Sequence, residues 1–156
     1  MEAQTTLAIF HAHLYQDLVN MLADLTEGQL EYSAPQIDSR CIRDVAIHAY
    51  RPLLAVACVL TGEEWPARPQ IPATKDELFQ LLHTMRLSID ERIASLTPAM
   101  LERTINLPWH QQQNGLESII ESLAHGSLHT GALQGIRAIG GFPTPAEDPK
   151  PPRGKG

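Results

Sequence analysis

Apolar residues recur along this chain at helical rather than strand spacing, and no run alternates like a strand for long. Leu7, Phe10, Leu14, Leu18, Met21, Leu22 and Leu25 form one stripe, which predicts a core-facing helix from about Thr5 to Leu25. His11 falls within the arc of that stripe and His13 points away from it. Thr26 to Leu30 reads as a stop followed by a short helical turn, and Pro35 to Asp38 as loop. Ser39 is placed to cap a second helix that extends to about Thr61 and ends at Gly62. This helix is apolar almost all round and should be the most buried. Pro52 lies inside it and cannot donate to the carbonyl of His48, so a kink is expected there, with that carbonyl left free.

Glu63 to Ala73, with Pro66, Pro69 and Pro72, predicts an extended linker. Thr74 and Glu77 have capping-box spacing and open a third helix that ends near Ser95. Thr97-Pro98 starts a short turn, Arg103 to Pro108 reads as extended, and Trp109 to Asn114 as a polar loop. A fourth helix is expected from about Gly115 to Ile139, stopping at Gly140-Gly141. Four long helices with one long connection between the second and third predict an all-α four-helix bundle over residues 1–142. Residues 143–156 form a Pro-rich C-terminal tail, expected to be disordered or draped over the bundle.

The chain has 156 residues, enough for one domain with a real core. Its net charge is −6 and no Lys/Arg cluster occurs, which argues against nucleic acid and anionic membrane surfaces as partners. The longest apolar run, Leu53 to Leu60, is far short of a membrane span, and the N-terminus lacks the pattern of a secretory signal. Cys41 and Cys58, 17 residues apart in one helix, would lie ~25 Å apart along its axis and could not bridge. A reduced, cytoplasmic protein is the expectation.

The candidate chemistry lies in His125-Gly126-Ser127-Leu128-His129 and in His48 far upstream. Residues four apart on a helix face the same way, with Cβ atoms about 5–6 Å apart, so His125 and His129 can converge on one ion. His48 from another helix would complete a facial set of three imidazoles and leave coordination positions open. The small residues Ser118, Ser122 and Ala132 flank the pair and leave room for a ligand or water. From spacing alone, other readings stay open: two surface histidines on the fourth helix, and a hydrogen-bonded core histidine at position 48. A zincin site fails because Gly126 stands where the general-base glutamate is needed. A di-iron bundle fails because Glu121 stands four residues before His125 and no second copy exists. Neither cysteine shows a nucleophile's setting. His11 would line the cavity, supply a fourth contact or simply pack in the core. His13, His83 and His110 read as surface residues. Trp109 and His110 would serve as a lid or a loop anchor, and Arg51 and Asp44 as solvated flank residues. No catalytic residue stands out.

Leu25 to Leu30, Ser39 to Tyr50, and His125 to Gly141 followed by Phe142-Pro143-Thr144-Pro145 resemble, in order and spacing, the DinB/YfiT-like metalloprotein superfamily. The resemblance covers nearly the whole chain, to about Pro145. It implies a four-helix bundle with up-down-down-up connectivity. It also implies a divalent metal, zinc or nickel, held by His48, His125 and His129 at one end. Homodimers are common in the family, and some members transfer or isomerise with low-molecular-weight thiols. One departure is that Ala132 stands where many members carry glutamine after the second helix-four ligand. The expected function is therefore a metal-dependent thiol S-transferase or related hydrolase acting on a small molecule. The alternative is a non-catalytic binding bundle with a vestigial metal site. A homodimer is also expected from the apolar second helix, whose Leu53, Leu54 and Leu60 would be exposed in a monomer.

Overall fold

The computed structural model describes residues 1–145. It is mostly helical: α1 (Glu2–Leu22), α2 (Glu27–Leu30), α3 (Ile42–Leu60), α4 (Lys75–Ser95), α5 (Pro98–Glu102) and α6 (Gly115–Gly140), with a small hairpin of β1 (Thr104–Leu107) and β2 (His110–Asn114) before α6. Local chemistry explains most boundaries. Thr74 accepts from the Glu77 amide while the Glu77 carboxylate accepts from the Thr74 amide, and Asn114 and Glu117 repeat this at the start of α6. Gly141 closes α6 in the left-handed conformation, φ 82°, where a side chain would be strained.

Three expectations need correction. The capping position of α3 is Cys41 rather than Ser39, and Cys41 makes no side-chain cap. The first stripe places Phe10 in the core, yet Phe10 is 60% exposed while His11 is buried. Trp109 to Asn114 is not simply a loop, because His110–Asn114 pairs antiparallel with Thr104–Leu107. Four residues of alternation, with Ile105 and Leu107 buried between exposed neighbours, were too short a signal to read as a strand. α3 runs unbroken through Pro52 and is heavily buried, as its composition demands. Most of the tail beyond Pro143 lies outside the described residues.

Non-local pairings set how the long helices meet. Gln4 Nε2, at the start of α1, donates to Ile93 O (3.0 Å) near the end of α4. At the other end Lys75 Nζ reaches Ala23 O (2.6 Å) and Leu25 O (2.7 Å), so α1 and α4 run in opposite senses. Arg92 near the end of α4 pairs with Glu63 just past α3, so α3 and α4 share a sense. Gly115 opens α6 against Leu60, the last residue of α3, and Gly126 meets Ala49, so these two are antiparallel. Arg137 near the end of α6 is only 1% exposed and donates to Met21 O (2.8 Å), to both Asp24 carboxylate oxygens and to Phe142 O (3.0 Å). That one guanidinium ties the ends of α1 and α6 together.

The contacts of α3 with α4, α6, α2 and β1 bury Leu53 and Leu60 completely and Leu54 in part. The apolar side of α3 is thus satisfied within the chain, and the exposed leucines expected to drive dimerisation are not exposed. No helix among the described residues is long and apolar enough to cross a membrane.

Candidate metal centre

α3 contributes His48, and α6 contributes His125 and His129 from successive turns of one face. The local sequence of α6 makes their approach to α3 possible. A Cβ on Gly126 would stand 2.9 Å from the Ala49 carbonyl oxygen and 2.7 Å from Leu14 Cδ2, so only glycine lets α6 lie this close. Thr130 keeps its buried hydroxyl out of the way by donating to Gly126 O (2.8 Å).

The three imidazoles come together. One ring nitrogen from each lies within 4.8 Å of the others, close enough to bind a metal ion. Ring centroids are 4.9 Å apart for His48 and His125, 4.7 Å for His48 and His129, and 4.5 Å for His125 and His129. The rings meet edge to face, at interplanar angles of 64° to 85°.

Electrostatics favour the neutral, ligating form. Burial, the nearby Arg40 guanidinium and the other two imidazoles hold His48 down at about 4. Burial and His129 lower His125, against a weaker upward pull from Glu121. Burial lowers His129, partly offset by Asp38, whose Oδ2 is 3.9 Å from His129 Nδ1. Asp38 is fixed in turn by the Arg40 amide (2.9 Å) and guanidinium (3.2 Å). His125 Nδ1 is buried and has no hydrogen-bond partner among the described residues. Three neutral imidazoles, one with an orphaned buried nitrogen, suit a divalent cation, since metals bind only deprotonated histidine.

His48 and His125 also line a cleft of about 1030 Å³. Small side chains on the two helices, Ala55 and Ser122, line it, whereas Ser118 and Ala132 of the small-residue row on α6 do not. Its remaining walls contain Trp109, which the sequence offered as a lid or a loop anchor, and groups that it did not assign to a site. Glu121 lies one turn before His125, and its Oε2 is buried without a partner among the described residues. Arg51, three residues after His48, is half-buried and lines the cleft, and Arg40 and Arg68 line it too. Trp65 and Trp109 both line it and meet edge to face, with ring centroids 5.4 Å apart. Helical spacing from the histidines would have found Glu121 and Arg51. Trp65 and Arg68 sit in the Pro-rich connection, where no periodicity marks them.

The other histidines are elsewhere. His11 is fully buried: Nδ1 donates to Asp90 Oδ1 (2.8 Å), leaving Nε2 to accept from the Tyr50 hydroxyl. It is a core histidine outside the metal cluster and the cleft lining. His13, His83 and His110 are exposed. Asp44 is paired with Arg43 at 3.4 Å. The cysteines are unpaired. Comparison of the chain with protein-family models, with curated proteins and with solved structures finds no match.

Proposed function

We propose that this chain is a DinB/YfiT-like four-helix bundle that acts as a metal-dependent thiol S-transferase or related hydrolase. The helix pairings support the topology: α1 and α6 share one sense and α3 and α4 the other, which is the up-down-down-up arrangement. One observation carries the functional reading. Three neutral imidazoles from two helices bring their donors within 4.8 Å of one another beside a cleft large enough for a small organic substrate.

His48, His125 and His129 would hold a divalent cation, zinc or nickel. Such an ion supplies Lewis acidity that brings the pKa of a thiol or water in the cleft toward neutrality. The chain's own residues do the rest. Asp38 keeps a carboxylate beside the His129 ring, which favours one orientation of that imidazole. Glu121, with a free buried oxygen one turn from His125, is placed to take the proton that the nucleophile gives up. Trp65 and Trp109 give the cleft an aromatic wall for the apolar part of a substrate.

The test is elemental analysis of the purified protein, followed by turnover of an aryl halide with a small thiol, with and without restored zinc or nickel. Metal-dependent turnover that Glu121→Gln lowers supports the reading. Bound metal without turnover for any thiol or for water favours a non-catalytic binding bundle, and failure to bind metal overturns both. A homodimer belongs to the same proposal. Its support is now the groove between α1 and α6, where Phe10 and Ile120 are exposed. Light scattering at micromolar concentration should give twice the single-chain 17.2 kDa; the monomer mass refutes it.

A further inference from the structure

The cleft beside the three histidines has an unusual balance of charge. The chain as a whole carries −6, yet three guanidiniums, from Arg40, Arg51 and Arg68, line this one cavity against a single carboxylate, Glu121. Arg40 is already neutralised by Asp38 at 3.2 Å. Among the described residues, no carboxylate pairs with Arg51 or Arg68. Arg51 Nε is moreover buried with no hydrogen-bond partner among the described residues. Burial and repulsion from Arg68 both act against the charge on Arg51, so the two like charges lie close enough to feel each other. A protein gains nothing in stability by holding two guanidiniums near one another without an anion, since a buried unpaired donor costs free energy. The apolar part of the cleft is equally open to solvent. Trp65 and Trp109 are 40% and 45% exposed, meeting at 69° and offering indole surface toward the same space.

We propose that Arg51 and Arg68 form an oxyanion subsite for a small organic carboxylate whose apolar body packs against Trp65 and Trp109, and that the substrate of this cleft belongs to that class. The proposal rests on the reading of the cleft as the site of action, but its binding chemistry stands apart from the histidines. A planar guanidinium recognises a carboxylate through paired N–H donors, and aromatic faces accept a flat or aliphatic body. Arg51 is set three residues from His48 on α3, so a carboxylate held there leaves the rest of the molecule within the histidine-lined part of the cleft.

The chain contains two tryptophans, and both line the cleft, so intrinsic fluorescence reports on it directly. The experiment uses metal-stripped full-length protein, in which no cation can attract the anion. Benzoate, its neutral isostere benzamide and inorganic phosphate are titrated at fixed ionic strength. Benzoate should change the fluorescence saturably, with benzamide and phosphate each at least tenfold weaker. Arg51→Gln should lower benzoate affinity at least tenfold and erase the preference over benzamide. Arg68→Gln, in an exposed connection that tolerates substitution, should lower it several-fold and guards against misfolding at position 51. Zinc binding by both variants should match the wild type, whereas His125→Ala should lose zinc and keep benzoate. Equal binding of benzoate and benzamide, equal binding of benzoate and phosphate, or wild-type benzoate affinity in both arginine variants would overturn the subsite. Arginine-dependent benzoate binding in a protein that takes up no metal would sink the metal reading and leave the subsite standing.

Discussion

Replacing Gly126 by alanine probes the contact that brings the histidines together. The new Cβ would sit 2.9 Å from the Ala49 carbonyl oxygen and 2.7 Å from Leu14 Cδ2. A comfortable C···O approach is about 3.3–3.6 Å, so the carbonyl contact is short by roughly half an ångström. Leu14 can rotate its tip away, but the Ala49 carbonyl belongs to the α3 backbone and cannot. α6 must then move off α3. Overpacking of this kind costs about 1–3 kcal/mol, while exchanging glycine for alanine inside a helix returns about 1 kcal/mol. Gly131→Ala in the same helix is the control, because nothing lies within 4 Å of its Cβ position. The propensity gain cancels between the two variants, which leaves the overpacking cost as their difference. At a denaturant slope of about 2 kcal/mol/M, the urea midpoint of Gly126→Ala should lie about 0.5–1.5 M below that of Gly131→Ala. Separating the helices also pulls His48 from His125 and His129. Metal sites tolerate only about ±0.2 Å in ligand distance, so zinc affinity should fall at least about tenfold in Gly126→Ala alone. Equal urea midpoints and equal zinc affinities would refute the claim that glycine sets the α3–α6 approach.

His125→Ala should abolish stoichiometric metal binding and leave the helical circular dichroism nearly intact, since the core is apolar without the site; a collapse of that signal would make the site structural. Metal-free protein should lose stability in mild acid. His48 is held at about 4 against an ordinary 6.5, and His125 and His129 are lowered as well. The unfolded chain therefore binds more protons through this range, so stability is full above 6.5 and falls as the pH drops toward 4. A urea midpoint that stays flat from about pH 7 to pH 5 in the presence of a chelator would contradict this, because that window spans the ordinary histidine range. Arg137→Met should cost about 2–4 kcal/mol, because the Met21 and Phe142 carbonyls lose a buried donor. Thermal denaturation checks it, and an unchanged midpoint would mean that water replaces the guanidinium.

The sequence by itself determined the long helical segments and the capped starts of α4 and α6, though not the ends of α1 or the cap of α3. Repeats of leucine at helical spacing and the Thr74–Glu77 capping box act within a few residues, so they are written locally and can be read locally. The same locality made His125 and His129 legible as a pair, because one helical turn guarantees that they share a face. What the sequence left open depends on which faces meet. His48 joins the pair only because Gly126 lets α6 lie against Ala49, a contact between residues far apart in the chain. His11 and Phe10 are neighbours on α1, and tertiary packing buried the histidine against Asp90 and Tyr50 and left the phenylalanine in solvent. Leu53 and Leu60 looked available for a partner until α4, α6 and β1 were seen to cover them. The cationic, tryptophan-walled cleft is the furthest from local reading. Its residues come from α3, from α6, from the connection around Trp65 to Arg68 and from the hairpin turn at Trp109, and only the folded chain makes them neighbours.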